Sequence, residues 1–318
     1  MVRFAETYDS LRENVERVIR GKPEAVRLAL CCLLAEGHLL IEDVPGTGKT
    51  SLAKAIASSI SGSWRRVQFT PDLLPSDITG VMVLEQASGR LVFREGPVFA
   101  NVVIGDEINR ASPKTQSALL EVMEERQVTS DGVSRAVPRP VFVIATQNPH
   151  DFQGTYPLPD VQLDRFAMRI GLGYVDPVTE LEVLNSDVSR RAFPEVPSVL
   201  TMQDVGSMSS TVDKVYVAPA IGEYMISIAV KTRAHPDLRL GVSTRGVIAL
   251  QRISKSIAAT DGRDFVSPED VQLVVDPVLS HRLSLTPEAE MRGVSAHDLL
   301  QEIVSSVEVP RRRTTDRP

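Results

Sequence analysis

This chain of 318 residues has few cysteines, no long apolar run and no excess of positive charge. Its two cysteines, Cys31 and Cys32, are adjacent in an apolar helical pattern, where neighbouring side chains point about 100° apart. We therefore expect buried free thiols rather than a disulfide. The chain has no run of roughly 20 apolar residues, so we expect no membrane-spanning helix. The net charge of −6 argues against a general affinity for nucleic acid.

Residues 1–6 also lack the apolar segment of a signal peptide. Two adjacent buried thiols suit a reducing compartment. Both observations lead us to expect a cytoplasmic protein.

A glycine-rich segment follows a short apolar run, residues 38–41, and opens a helical pattern. The backbone N–H groups of such a turn and the N-terminus of the next helix bind a phosphate chain. Lys49 is expected to reach the β- and γ-phosphates, and the Thr50 hydroxyl to bind Mg²⁺. Asp43 stands where the usual pattern has its first glycine, so neighbouring motifs must support the prediction. The predicted nucleotide-binding residues of this segment are Pro45, Gly46, Thr47, Gly48, Lys49, Thr50 and Ser51.

A second motif lies at the end of the apolar run 102–104. Asp106 is placed to hold Mg²⁺ together with Thr50, and Glu107 to polarise a water for attack on the γ-phosphate. An acidic turn after a strand is common in α/β proteins. Together with the phosphate-binding segment, however, this motif predicts a P-loop nucleoside triphosphatase that uses ATP and Mg²⁺.

Strand and helix patterns alternate up to about residue 185, which predicts an α/β fold with a doubly wound parallel sheet. Two β-hairpins, at roughly 80–93 and 127–137, interrupt this alternation. Helical patterns dominate from 202 to 310. We therefore predict a nucleotide-binding α/β domain over residues 1–185 and a smaller, all-helical domain over 186–309. The basic, polar segment 310–318 is expected to be a disordered tail.

Three further polar residues follow or precede predicted strands. Asn148 follows the strand at 140–146, where its amide would bind the attacking water or the γ-phosphate; the alternative is an Asn-Pro turn. Arg165 precedes the strand 168–170 and would reach the γ-phosphate of a neighbouring subunit; the alternative is a surface ion pair. Arg245 would report the γ-phosphate to the helical domain, or is an ordinary arginine at a helix N-terminus.

Several longer runs resemble the MoxR family of AAA+ ATPases, which is related to the ATPase subunit of magnesium chelatase. The resemblance spans about residues 15 to 280. It rests on the runs 42–50, 68–77, 95–99, 105–110, 114–121, 145–149, 154–159 and 163–166.

This resemblance implies roles for individual residues. Lys49 and Thr50 correspond to Walker A, and Asp106 and Glu107 to Walker B. Asn148 corresponds to sensor 1, and Arg165 to the arginine finger. Arg245 corresponds to sensor 2, although its Ser-Thr-Arg-Gly context departs from the Ser-Pro-Arg-Ala that is expected.

The resemblance also implies an AAA+ core with a five-stranded parallel sheet and two inserted hairpins, followed by a helical lid. A homo-oligomeric ring is expected, as a hexamer with ATP bound between subunits. Such ATPases are similar to chaperones that remodel or activate protein complexes together with a von Willebrand factor A-domain protein, so both a partner of that kind and a protein client are expected.

Two alternatives from other functional classes remain at the level of sequence. One is a nucleic-acid-remodelling AAA+ motor, which the acidic charge balance disfavours. The other is a nucleotide-gated scaffold with little turnover, which the presence of Glu107, Asn148 and Arg165 disfavours. A GTPase is disfavoured because the chain lacks an Asn-Lys-x-Asp motif.

Overall fold

A computed structural model of the chain describes residues 2–130, 132–149, 154–185 and 196–310. The helices are α1 (Val2–Glu16), α2 (Pro23–Leu34), α3 (Lys49–Ser58), α4 (Pro75–Thr79), α5 (Pro113–Glu125), α6 (Asp160–Leu163), α7 (Pro177–Asn185), α8 (Met202–Asp213), α9 (Pro219–Ala234), α10 (Thr244–Thr260), α11 (Pro268–Leu279), α12 (Pro287–Met291) and α13 (Ala296–Ser305).

The strands are β1 (Leu39–Glu42), β2 (Ile60–Ser61), β3 (Trp64–Gln68), β4 (Gly80–Glu85), β5 (Arg90–Glu95), β6 (Val102–Asp106), β7 (Gln127–Ser130), β8 (Val133–Ala136), β9 (Phe142–Gln147), β10 (Met168–Ile170), β11 (Leu200–Thr201), β12 (Leu238–Leu240) and β13 (Ser284–Leu285).

A five-stranded sheet forms the centre of the α/β part, in the order β10-β1-β9-β6-β3. Every neighbouring pair is parallel. The prediction of a five-stranded parallel sheet is confirmed. Parallel strands connected through helices have both faces covered. Accordingly, Leu39 and Ile41 of β1 pack into a core with the helical part of the chain, whereas Leu40 packs into the core under α5.

Two hairpins project from this sheet, as the sequence predicts. One pairs β4 with β5, and the other pairs β7 with β8, both antiparallel. Asp131, which the sequence predicts to lie in the turn of the second hairpin, is outside the described residues. The first hairpin leaves several apolar side chains exposed, namely Val81, Val83, Leu84, Leu91 and Val92.

The remainder of the described chain, 196–310, is helical apart from the short strands β11 to β13. Apolar residues of α10 and α11, such as Leu250 and Val274, are fully buried in the same core as residues of α1 and α2. Cys31 and Cys32 are free and buried in that core, as predicted. None of the helices in the described residues has the length and apolarity to cross a bilayer.

The predicted domain boundary, between residues 185 and 186, lies at the start of 186–195, which are outside the described residues. The predicted tail, 310–318, is outside them too, apart from residue 310. The side chains on the two sides of this boundary pack together. For example, Arg27 of α2 bonds Asp261 at 2.7 Å, just after α10. The helical part therefore rests directly on the N-terminal helices and on the sheet.

Candidate nucleotide-binding site

Three neighbouring strands bring the P-loop, Asp106, Glu107 and Asn148 to one edge of the sheet, the edge formed by the carboxyl ends of the strands. The glycine-rich loop follows β1, Asn148 follows β9, and Asp106 ends β6. Because β1, β9 and β6 are adjacent and parallel, their carboxyl ends meet at the same edge. Ligands of open α/β sheets bind at this edge. The structure therefore brings together the sequence-predicted residues of the P-loop, Asp106, Glu107 and Asn148.

The P-loop has the backbone that a phosphate site requires. Gly46 and Gly48 have φ of 86° and 93°, a left-handed conformation that side chains rarely adopt. A Cβ atom built on either glycine would find no atom within 4 Å, so the space above the loop is open. Helix α3 starts at Lys49, directly after the loop. The N–H groups of its first turn, together with the loop, form a cradle that fits the phosphates of a nucleotide.

Lys49 lies against the loop that precedes it. Its Nζ donates to the carbonyls of Asp43 and Val44, at 2.5 and 2.7 Å. The Thr47 hydroxyl donates to the same Val44 carbonyl at 3.2 Å. These bonds give the loop a defined shape and hold the ammonium group beside it.

Two oxygen ligands suited to Mg²⁺ meet below the loop. The Thr50 hydroxyl donates to Asp106 Oδ1 at 2.9 Å, and the Asp106 side chain is 3% exposed. Magnesium prefers hard oxygen ligands, supplied by a few protein groups and by phosphate and water. The donor set of Thr50 and Asp106 therefore fits Mg²⁺ bound with a nucleotide.

Two neighbours of Asp106 were not predicted from the sequence. Thr146 of β9 donates from its hydroxyl to Asp106 Oδ1 at 3.2 Å, and its Oγ1 accepts the Glu107 N–H at 3.0 Å. Arg66 of β3 donates from Nε to Asp106 Oδ2 at 2.5 Å. The two residues fix the orientation of the carboxylate from opposite sides. Arg66 lies on β3 and Thr146 on β9, the two strands that flank β6. The parallel register pairs Gln68 of β3 with Asp106.

Glu107 has a strained backbone and a well-defined side chain. Its φ is 57°, in the left-handed region, which costs a non-glycine residue roughly 1–2 kcal/mol. Its Oε2 accepts hydrogen bonds from Gln68 Nε2 and Arg110 Nη1, both at 3.0 Å. The carboxylate is 39% exposed. A water bound at this edge can therefore reach it.

Asn148 is buried, with 8% exposure. Its backbone carbonyl accepts a hydrogen bond from Asn109 Nδ2 at 3.3 Å. This bond connects the end of β9 to the turn that follows Glu107. The segments that carry Glu107 and Asn148, the two residues predicted to act at the γ-phosphate, are thus joined by a hydrogen bond.

Asp43 has a role that a glycine at this position could not perform. Its carboxylate accepts the backbone N–H groups of Val44, Leu172 and Gly173, at 2.7, 2.7 and 2.5 Å. Burial acts to raise the pKa of Asp43, but these hydrogen bonds and the charge of Lys49 outweigh it, and the pKa lies below its usual value. The P-loop is therefore tied to the segment that follows β10.

Arg165 and Arg245 lie near the amino ends of the strands, on the side of the sheet opposite the P-loop. Both donate to the carboxylate of Glu124, Arg165 from Nη2 to Oε2 at 3.1 Å and Arg245 from Nη2 to Oε1. Glu124 follows Met123, whose carbonyl lies 3.2 Å from His38 Nε2, just before β1. The P-loop comes after β1, so the length of this strand, about 13 Å, separates the two arginines from it. The structure does not place either arginine at the P-loop of its own chain.

A cleft of about 190 Å³ surrounds these arginines. It lies at the amino end of β1, beside Gly37 and His38. Arginines outnumber carboxylates in its lining, so it favours an anionic group. The charged residues of the lining are Arg126, Arg165, Arg245, Arg252 and Arg282, with Glu36, Glu124 and Asp164.

Sequence reasoning missed Thr146, Arg66, Glu124 and Arg282. Thr146 had a signal, because it lies two residues before Asn148 at the end of a predicted strand. Arg282 and Glu124 had none, since their partners are more than 40 residues away along the chain.

The match to known families agrees with this geometry. Residues 38–168 match the family described as "ATPase family associated with various cellular activities (AAA)". Residues 230–303 match the family described as "AAA lid domain". The sheet with its P-loop and the helical part thus correspond to the two parts of an AAA ATPase.

Individual relatives cover nearly the whole chain. The protein YeaC of Bacillus subtilis is 45% identical over 96% of this chain and 95% of its own length. Chaperone MoxR1 of Mycobacterium tuberculosis is 36% identical over 93% of this chain and 81% of its own length. The chain therefore belongs to the MoxR family of AAA+ ATPases, as the sequence motifs predict.

A solved structure and a more distant relative support the same conclusion. A protein of Cytophaga hutchinsonii, described as a candidate ATPase, superimposes with a TM-score of 0.89 at 36% identity and covers 98% of this chain and 97% of its own. The magnesium-chelatase subunit ChlI of Chlamydomonas reinhardtii is 29% identical over 64% of this chain and 48% of its own length. The predicted relation to magnesium chelatase is thus confirmed.

Proposed function

We propose that this protein hydrolyses ATP with Mg²⁺ at the P-loop, and that each active site is completed by a neighbouring copy of the chain. The family implies nucleotide binding. Glycines with positive φ, an open cradle and the Thr50–Asp106 pair all support binding of Mg-ATP. Bound Mg²⁺ would neutralise charge on the β- and γ-phosphates.

The residues of the chain then have separate tasks in hydrolysis. Lys49 binds the β- and γ-phosphates from the loop. Glu107 accepts a proton from the water that attacks the γ-phosphorus, while the bond to the β–γ bridging oxygen breaks. Asn148 orients that water or the γ-phosphate. The bonds from Gln68 and Arg110 orient the Glu107 carboxylate for this task.

The observation that carries the proposal is the location of Arg165 and Arg245 at the edge opposite the P-loop. A guanidinium one strand length away from its own nucleotide cannot stabilise the γ-phosphate there. A second copy can supply its P-loop to the anion-attracting cleft, in which case Arg165 is a finger in trans and Arg245 a trans sensor. A ring, in the form of a hexamer, provides such contacts for every subunit.

The energy of hydrolysis serves, in this proposal, to remodel a protein complex. The relative MoxR1 is named a chaperone. The hairpin β4–β5 exposes Leu84 and Leu91, each 64% exposed, and so offers an apolar surface to a protein client. A von Willebrand factor A-domain protein is the proposed partner. Nucleic acid is disfavoured as a client, because the chain carries a net charge of −6.

The test is ATP turnover as a function of protein concentration, with light scattering in parallel. For the unmodified protein, turnover per subunit should rise as subunits assemble. Glu107→Gln should assemble and bind ATP but stall. Arg165→Ala should assemble with turnover lowered about 10³-fold or more. Arg245→Ala should also lower turnover without loss of ATP binding.

Glu125→Gln and Arg12→Ala are matched controls, since both side chains are partly or fully exposed and lie outside the site. Constant turnover per subunit from a monomer, unaffected by Arg165→Ala, would contradict the shared site. Turnover equal to that of Lys49→Ala in the assembled protein would instead favour the nucleotide-gated scaffold.

A further inference from the structure

Arg282 is a buried arginine that belongs to the helical part of the chain. It ends the short 3-10 helix Ser280–Arg282, which follows α11, and its side chain is only 2% exposed. Burying a cation is costly unless its charge is paired and its donors are all bonded. The partners of Arg282 therefore indicate why it is there.

All five N–H donors of Arg282 have acceptors, and four of them point at the loop that carries Arg165. Nη1 donates to the Asp164 carbonyl at 2.6 Å and to Asp164 Oδ1. Nη2 donates to the carbonyls of Phe166 and Ala167, at 2.5 and 3.4 Å. The remaining donor, Nε, bonds the carbonyl of Val278, near the end of the preceding helix α11, at 2.8 Å. The guanidinium thus holds the backbone on both sides of Arg165.

Two further contacts from the helical part hold the same loop. Ser243, the N-cap of α10, donates from its hydroxyl to the Asp164 carboxylate, at 3.0 Å to Oδ2. His281 Nε2 lies 3.2 Å from the Phe166 carbonyl. Close packing supports the arrangement, because a Cβ on Gly246 would lie 2.9 Å from Arg282 Cδ. Arg245 is the second residue of the helix that Ser243 caps, so this cluster positions both Arg165 and Arg245.

We propose that Arg282 is a positioning residue of the active site on the neighbouring subunit: it fixes the Arg165 loop to the helical part, so that a movement of the helical part moves the finger. This inference rests on the proposed function. It adds that the helical part controls the finger of its own subunit, and hence hydrolysis at the next P-loop. Arg282 itself does not touch the nucleotide.

The first variant is Arg282→Lys, which keeps the charge but cannot bond several carbonyls in one plane. A misplacement of about 1 Å in a group that contacts the reaction costs about 10²-fold in rate. We expect turnover to fall about 10- to 100-fold in the assembled protein. The ATP concentration at half-saturation should stay within about twofold, because the variant leaves its own P-loop intact.

Mixing subunits separates a positioning role from a purely structural one. Arg282→Lys subunits retain a working P-loop, and Lys49→Ala subunits retain a working finger. An equimolar mixture of the two should regain up to about a quarter of the turnover of the unmodified protein, the fraction of interfaces that join the two intact parts. A mixture of Arg282→Lys with Arg165→Ala should regain nothing, since both subunits lack a positioned finger.

The matched control is Arg263→Lys, another arginine of the helical part, which bonds the Asp270 carboxylate with two contacts of 2.6 Å. It should lower the melting temperature without lowering turnover below the melting range. If Arg282→Lys does not fold, Asp164→Asn removes the other charge of the pair and should give the same pattern in mixtures. Asp164 keeps its backbone carbonyl in that variant, so a smaller loss is expected.

Several outcomes would overturn the inference. One is unchanged turnover of folded Arg282→Lys, or of Asp164→Asn where that variant is used instead. Another is a loss of turnover that Lys49→Ala subunits do not restore in assembled mixtures. If Arg165→Ala itself keeps full turnover, the shared site fails and the positioning role fails with it. If Arg165→Ala behaves as expected but the Arg282 mixture does not recover, only the positioning role is wrong.

Discussion

The carboxylate of Asp43 accepts the backbone N–H of Leu172 at 2.7 Å, across 129 positions of the chain. Asp43 begins the P-loop, and Leu172 follows the edge strand β10, which comes after the Arg165 loop. This bond explains in physical terms why an aspartate replaces the usual glycine. The start of the P-loop is thus tethered to the segment that follows β10.

Asp43→Asn should destabilise the protein in a pH-dependent way. The amide loses the charge-assisted bonds to Val44, Leu172 and Gly173, which is worth about 1–3 kcal/mol at pH 7. The pKa of Asp43 lies below its usual value in the folded state, so its contribution is present above the unfolded pKa, about 4, and is lost as the pH falls through the folded pKa. Urea unfolding of both proteins at pH 7 and pH 3 measures this difference.

The difference in the free energy of unfolding between the two proteins should be larger at pH 7 than at pH 3. The control is Asp213→Asn, an exposed aspartate at the end of α8. Equal stability of Asp43→Asn and the unmodified protein at pH 7 would show that the tether contributes nothing.

His38 should limit stability on the acid side. The ring is buried, with Nδ1 accepting the Val143 N–H at 3.1 Å and Nε2 3.2 Å from the Met123 carbonyl, as in a neutral imidazole. Burial lowers the pKa of His38 to about 4. The unfolded chain, with a histidine pKa near 6.5, therefore binds more protons between pH 6.5 and 4, and stability falls by about 2–4 kcal/mol over that range.

His38→Gln should weaken this pH dependence, although His281, whose pKa burial also lowers, remains. Urea unfolding at pH 5 and pH 8 tests the effect. His297→Gln is a control of opposite sign: the bond to Asp276 raises the pKa of His297, so its contribution is present at low pH and is lost as the pH rises. A pH dependence that His38→Gln leaves unchanged would show that His38 is not responsible.

The stacking of Arg135 on Phe93 should couple the two hairpins. Phe93→Leu keeps an apolar side chain but removes the ring face, which is worth about 0.5–1 kcal/mol. Amide hydrogen exchange in β8 should then accelerate about two- to fivefold, with little change in global unfolding. Leu91→Val, on the same strand, is the control. Exchange in β8 that does not respond to Phe93→Leu would mean that the hairpins are independent.

The sequence predicts the sheet well, because β1, β6 and β9 are short apolar runs that end in recognisable polar motifs. The P-loop and the Asp106–Glu107 pair depend on local spacing, so their meeting at one edge follows from the parallel fold. The hairpins were also predictable, since their alternation and turns are local features.

Other parts of the site depend on contacts that spacing cannot show. Arg282 meets Asp164 across 118 positions, and Arg245 meets Glu124 across 121. The sequence therefore predicts that Arg245 senses the γ-phosphate, but it does not indicate that Arg245 lies on the side of the sheet opposite its own P-loop. Nor does a sequence pattern reveal that Glu107 has a positive φ, because nothing in its residue type requires it.

Complementation between two inactive variants tests the central claim, that two subunits share each active site. Lys49→Ala lacks a working P-loop and Arg165→Ala lacks the finger, so neither should turn over ATP alone. We predict that an equimolar mixture, assembled together, regains up to about a quarter of the turnover of the unmodified protein. A mixture that assembles into common rings and remains as inactive as its components would contradict the account.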